Sequence, residues 1–157
     1  MNIGENFCFS KSTKLFVASF MCVLGLSYIP LLLSIWIDTE MKVCNIQQAY
    51  GGFEFAEMVE HTGKHISWFA FTFGLAVLTF LLTTNYSQKV KSVFAVLPFV
   101  LIISDIGSMW LIRFAPKIFC WQLWFSGFLL AICFLTIFLL TVINVLFRKC
   151  EQGERKI

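Results

Sequence analysis

Apolar stretches long enough to cross a bilayer alternate with short polar connections along this 157-residue chain. A helix needs ~20 consecutive, mostly apolar residues to cross ~30 Å of hydrocarbon. Leu15 to Ile37 exceeds that length without one charged residue. Ile66 to Thr84 is shorter and rich in Phe and Leu, and Val93 to Ile112 is interrupted by a lone carboxylate, Asp105. Trp121 to Phe147 is long enough to tilt or to project beyond the bilayer. The four runs predict an all-α fold: an antiparallel bundle of transmembrane helices at about 15–37, 66–84, 93–112 and 121–147, forming a single domain over 1–157. Lys11 and Lys14 give the first run the basic flank of a signal peptide. Its apolar core is too long for one, and Ile37-Asp38-Thr39 is no small-residue cleavage site.

The connection 38–65 is the longest and is expected on the extracytoplasmic side. Gly51-Gly52 divides it. Beyond the glycines, Phe53 to His61 mixes apolar and acidic residues, a pattern that suits either a short interfacial helix leading into the second span or a solvated loop. No fixed-period repeat and no similarity between the halves points to an inverted-repeat transporter.

Composition sharpens the class. With 59% hydrophobic and 13% charged residues the chain lies far from the balance of a soluble domain. A lipid bilayer is the expected surrounding, and nothing in the pattern points to nucleic acid. Charge then sets orientation, because Lys and Arg near span ends stay in the cytoplasm. Four spans put Lys11, Lys14, Lys89, Lys91, Arg148, Lys149, Arg155 and Lys156 on one side and Lys42, Lys64, Arg113 and Lys117 on the other. The larger basic set predicts cytoplasmic N- and C-termini, with the tail from Arg148 to Ile157 held at anionic headgroups. Asn85-Tyr86-Ser87 matches a glycosylation acceptor but falls in the cytoplasmic 85–92 loop, where the match is chance.

Asp105 is the chemical feature that demands an account, since a carboxylate at membrane depth costs ~2.5–3.5 kcal/mol on insertion scales and needs a partner, water or a proton. It stands ~12 Å inside the span end at Arg113, at about 1.5 Å per residue. Pro30 lies at the same depth in the first span and deprives the Leu26 carbonyl of its usual donor. Counting inward along the fourth span brings Ser126 and Gly127 to that level. A polar, small-residue layer of Asp105, Ser108, Ser27, Pro30 and Ser126 is the expected intramembrane binding site, where backbones approach and hydroxyls bond across helices. Either Asp105 serves a ligand, proton or ion there, or it locks the bundle together.

His61 and His65 stand four apart, on one helix face if the second helix begins before the membrane. With Glu57 or Glu60 nearby they form a weak candidate metal site, without the metalloprotease signature because Thr62 follows the first His. The six cysteines contain no Cys-x-x-Cys pair. Cys8 and Cys150 belong to the reducing side, and Cys22 and Cys133 lie within spans as small core residues. Cys44 and Cys120 are the two placed outside, where a disulfide is possible. Trp36, Trp68, Trp110, Trp121 and Trp124 fall near the outer span ends, as an interfacial belt does, which argues against a cofactor box and for no cofactor.

The third span also resembles a known family. Val96-Leu97-Pro98-Phe99, then Asp105-Ile106-Gly107-Ser108 and Trp110-Leu111, is similar to a segment of a family of uncharacterised bacterial four-helix integral membrane proteins. The likeness continues through Phe119-Cys120-Trp121 and the Gly127 region and leaves the N-terminal half unmatched. It implies a bacterial inner-membrane setting and supplies no activity.

Three function classes remain. A binding or assembly component, as a homo-oligomer or beside another membrane subunit, needs only Asp105 as a buried interhelical group. A small proton- or ion-coupled transporter or channel would need a polar path, and towards the cytoplasm the third span offers only Ser104. A membrane oxidoreductase subunit would need haem ligands or a cofactor motif that the chain lacks. The first class asks least of the sequence.

Overall fold

The computed structural model describes residues 10–40 and 42–147. The expectations placed on Cys8, Cys150 and the tail from Arg148 to Ile157 lie outside the described residues. Five helices follow in order: α1 (Lys11–Thr39), α2 (Val43–Tyr50), α3 (Phe55–Thr83), α4 (Gln88–Leu111) and α5 (Pro116–Phe147). Four of them are long and apolar enough to cross a membrane, Lys11–Ile37, Phe55–Thr83, Gln88–Leu111 and Pro116–Phe147. No strand forms among the described residues.

Each long helix begins before its apolar stretch, and in α1 and α3 a side-chain cap holds the added polar turns. Ser10 accepts a hydrogen bond from the Thr13 amide at 3.1 Å and starts α1. The largest extension is in α3, which begins at Phe55 rather than Ile66. There the Glu54 side chain accepts from the Glu57 backbone while Glu57 Oε2 accepts from the Glu54 amide at 3.0 Å, a reciprocal cap that satisfies two orphan donors. The mixed apolar and acidic segment is therefore the first turns of a membrane-crossing helix. Lys91 Nζ reaches back from α4 to the Leu81 carbonyl at 2.8 Å, closing the end of α3 where its carbonyls lack donors. Pro116 occupies the first position of α5, where its missing N–H removes nothing.

The helix α2 interrupts the stretch expected as an open connection. A left-handed residue, Glu40 (φ 47°), ends α1 and turns the chain. The Lys42 ammonium lies 2.6 Å from Glu40 and holds that exposed carboxyl below its ordinary range. Ile46 and Tyr50, four apart, then bury the same face of α2 against the bundle.

α5 is the central element, packing against all four others. Two apolar clusters result. The larger holds Met21, Phe73, Phe80, Ile137 and Val145 with their neighbours from the four long helices. The smaller, at the α2 end, holds Ile46, Tyr50, Met58, Met109, Ile112, Cys120 and Leu123. Outward-facing side chains are also large and apolar, among them Ile37, Leu82, Ile103 and Phe147, each more than 70% exposed. A surface so apolar on all four long helices suits acyl chains and not water.

Candidate functional site

The α4–α5 hairpin carries the polar chemistry. Asp105 on α4 is 7% exposed, and its Oδ1 accepts a hydrogen bond from Ser126 Oγ on α5 at 2.7 Å. Gln122, one turn before Ser126 on α5, donates from Nε2 to Ser104 Oγ at 3.1 Å. Both bonds cross between the two antiparallel helices of the hairpin. Ser126 also approaches the Leu123 carbonyl of its own helix at 3.1 Å, so its single hydroxyl hydrogen has two acceptors in reach. Among the described residues, Asp105 Oδ2 accepts no hydrogen bond from the protein.

Of the five residues expected in the polar layer, Asp105 and Ser126 meet directly. Ser108 is buried beside them but donates to the Ser104 carbonyl one turn back. Ser27 is partly buried and donates to Leu24 O at 2.7 Å, again within its own helix. Pro30 is exposed on the outer face of α1 and does not join the layer. Equal depth placed these residues at one level, but the direction in which each helix turns its side chain decided which of them meet.

Asp105 opens onto an internal cavity of about 330 Å³ at the junction of the two apolar clusters. α1 contributes Tyr28, Leu32, Ile35 and Thr39 to its wall, α2 contributes Ile46 and Tyr50, and α3 contributes His65 and Phe69. α4 adds Met109 beside Asp105, and α5 adds Leu123, Trp124, Gly127, Phe128, Leu130 and Ala131. Gly127 matters for its lack of a side chain: a Cβ there would sit 3.8 Å from Asp105 Oδ1, so anything longer would enter the space in front of the carboxylate. Tyr28 stacks on Phe134 at 4.6 Å between ring centres and meets Phe73 edge-on, which fixes its ring against the core. The sequence reading overlooked it, although Val17, Met21, Leu24 and Tyr28 recur at the four-three-four spacing of one buried helix face.

His61 and His65 share a face of α3 with ring centres 4.3 Å apart. Tyr50 and Phe53 pack on His61, and Phe69 packs on His65, so the pair forms part of an aromatic ladder beside the cavity. Among the described residues no group of three His, Cys, Asp or Glu gathers to hold a metal. Cys44 and Cys120 are both unbridged thiols, the first exposed on α2 and the second buried in the smaller cluster. Two tryptophans turn inward from the expected belt. Trp110 Nε1 donates to Thr62 Oγ1 at 3.0 Å, tying α4 to α3, and Trp124 lines the cavity.

Residues 47–152 match the family Aq_1264_TM, described as a transmembrane helical domain. The chain belongs to this family. The match is consistent with the resemblance noted in the third span, and with the four long apolar helices it makes this an integral, multi-pass membrane protein. It begins within α2, so α1 lies outside the matched residues. Comparison with curated proteins and with solved structures found no match.

Proposed function

We propose that this protein is a membrane-embedded binding protein whose cavity takes one small, largely apolar molecule with a polar head directed at Asp105. The observation that carries this reading is the space of about 330 Å³ lined by a buried carboxylate, one of whose two oxygens has no protein donor among the described residues. Ligand sites are concave, mostly apolar, and oriented by a few placed polar groups, and their volumes begin near ~300 Å³. Asp105 has two roles in this reading. Oδ1 fixes α4 to α5 through Ser126, and Oδ2 faces the ligand. The core beyond the cavity is filled by Phe73, Phe80, Phe134 and Ile137, which favours binding over conduction through a single copy. In the proposed placement the α2 end faces away from the cytoplasm of a bacterial inner membrane, with both termini inside, as the basic residues of the tail and of the 85–92 connection favour.

The test uses 2-naphthol, an apolar bicycle with one donor, titrated calorimetrically into the purified full-length protein in detergent micelles, with empty micelles subtracted. One equivalent binds the wild type, and Ala131→Phe, which fills the cavity without touching the Asp105–Ser126 bond, abolishes the signal. Equal binding by the filled variant refutes the reading.

A further inference from the structure

Building on that reading, we propose that the cavity selects a lipophilic organic monocation, an ammonium group bearing apolar or aromatic substituents. Three features of the wall point to positive charge. First, Asp105 is deeply buried and Ser126 occupies only one of its two oxygens. Second, among the described residues no Lys or Arg lines the cavity, and the basic side chain in its wall is His65, which packs on His61 and Phe69 in the aromatic ladder of α3; an ionised group inside a membrane protein is normally paired. Third, five aromatic rings share the cavity with it: Tyr28, Tyr50, Phe69, Trp124 and Phe128. Ring faces attract a desolvated cation, with indole the strongest, and a carboxylate joined to an aromatic cage is the combination that holds an alkylated ammonium without water.

The alternatives fit less well. A bare metal cation of the calcium or magnesium kind takes six or more oxygen ligands, and among the described residues this wall offers one carboxylate among mostly apolar groups. A neutral alcohol would use the free oxygen of Asp105 and pack against the rings but would gain none of the attraction that their faces exert on a cation. An anion is repelled. At about 330 Å³ the space suits a single-ring ammonium.

The probe is benzyltrimethylammonium, compared with neopentylbenzene, its carbon isostere of the same shape and no charge. Both are titrated into the full-length protein in a non-ionic detergent at low salt, the isostere through its displacement of 2-naphthol. The cation is expected to bind at least tenfold more tightly than the isostere. Asp105→Asn, which retains an oxygen for Ser126 and the size of the side chain, should weaken the cation at least tenfold and leave the isostere unchanged. Trp124→Leu should weaken the cation several-fold and the isostere less. Where Asp105→Asn fails to fold, the comparison of the two probes on the wild type and on Trp124→Leu decides alone. An isostere that binds as tightly as the cation, or cation binding indifferent to Asp105→Asn, overturns the proposal while the binding function stands. Failure of naphthol, cation and isostere alike overturns both.

Discussion

Replacing Ser126 by Ala should destabilise the bundle by more than a hydroxyl is ordinarily worth, and only while Asp105 is present. The hydroxyl donates to Asp105 Oδ1 at 2.7 Å, and no other protein group among the described residues donates to that carboxyl. Its removal strands a buried acceptor, for which the desolvation penalty is ~1–3 kcal/mol. Within a membrane protein the penalty is reduced, because helices separated in lipid also find partners; interhelical bonds there average ~0.6 and reach ~1.7 kcal/mol. We therefore expect Ser126→Ala to cost ~1–1.5 kcal/mol, a sizeable part of a total stability of ~5–15 kcal/mol. The reverse truncation is milder. In Asp105→Ala the Ser126 hydroxyl turns to the Leu123 carbonyl, 3.1 Å away, and the expense of holding a carboxyl among apolar side chains disappears. In that background Ser126→Ala should cost less than ~0.5 kcal/mol, giving a coupling near ~1 kcal/mol. The four proteins of the cycle are unfolded reversibly in mixed dodecyl sulfate and maltoside micelles and followed by circular dichroism. A Ser126→Ala effect equal in both backgrounds to within ~0.3 kcal/mol would refute the reasoning.

Other consequences are more local. Trp110→Phe keeps the edge-on contact with Phe55 but loses the bond to Thr62, and should cost ~0.5–1.5 kcal/mol in the same unfolding assay, with Thr62→Val adding little to it. Glu54→Ala removes the reciprocal cap of α3 and should cost ~0.5–2 kcal/mol, read as faster amide exchange confined to the first turn after Phe55. Gly127→Ala places its Cβ at ordinary contact distance from Asp105, so the helix should gain ~0.5–1 kcal/mol with no loss of assembly, whereas Gly127→Leu should block 2-naphthol. A membrane-impermeant maleimide applied to intact cells should label exposed Cys44 and spare buried Cys120 until the protein is denatured; labelling of Cys44 only in broken cells would reverse the proposed orientation.

Hydropathy marks where a helix is bathed in lipid and not where it ends. That is why the four apolar spans are legible in the sequence while the stretch from Phe53 to His61 suits helix and solvated loop alike; the Glu54–Glu57 cap holds it as the polar first turns of α3. The short α2 was hidden for a related reason. Its eight residues bury only Ile46 and Tyr50, too few apolar positions to stand out as a period. At the site, distance along a span gave depth well: Asp105 and Ser126 were placed at one level and do meet. Depth says nothing about the face of a helix. Pro30 is two residues past Tyr28 and therefore ~200° round α1 from it, which sends the proline outward and the tyrosine into the cavity. The cavity itself could not be read from any one helix, since its volume depends on how closely five of them approach.

The cavity is assembled from two parts of the chain with different relations to the family. Asp105, Ser126, Gly127 and Ala131 lie within the matched stretch, residues 47–152. Those residues supply the carboxylate, its interhelical anchor and, through the two small side chains four apart on α5, the room in front of it. Tyr28, Leu32, Ile35 and Thr39 of α1 and Ile46 of α2 come from before that stretch and close the opposite wall and the end. Without them the site would keep the rings of Tyr50, Phe69, Trp124 and Phe128 but would lose Tyr28 and its closed wall, and with it a defined volume. In the proposed site the two parts therefore divide the work of recognition. α4 and α5 set the charge that a ligand must carry, and α1 with α2 sets the size and shape of the group that carries it. Substitutions on the two sides should separate accordingly: changes at Asp105 alter discrimination between the cation and its carbon isostere, while enlarging Leu32 to Phe should exclude both probes alike and leave the Asp105–Ser126 coupling intact.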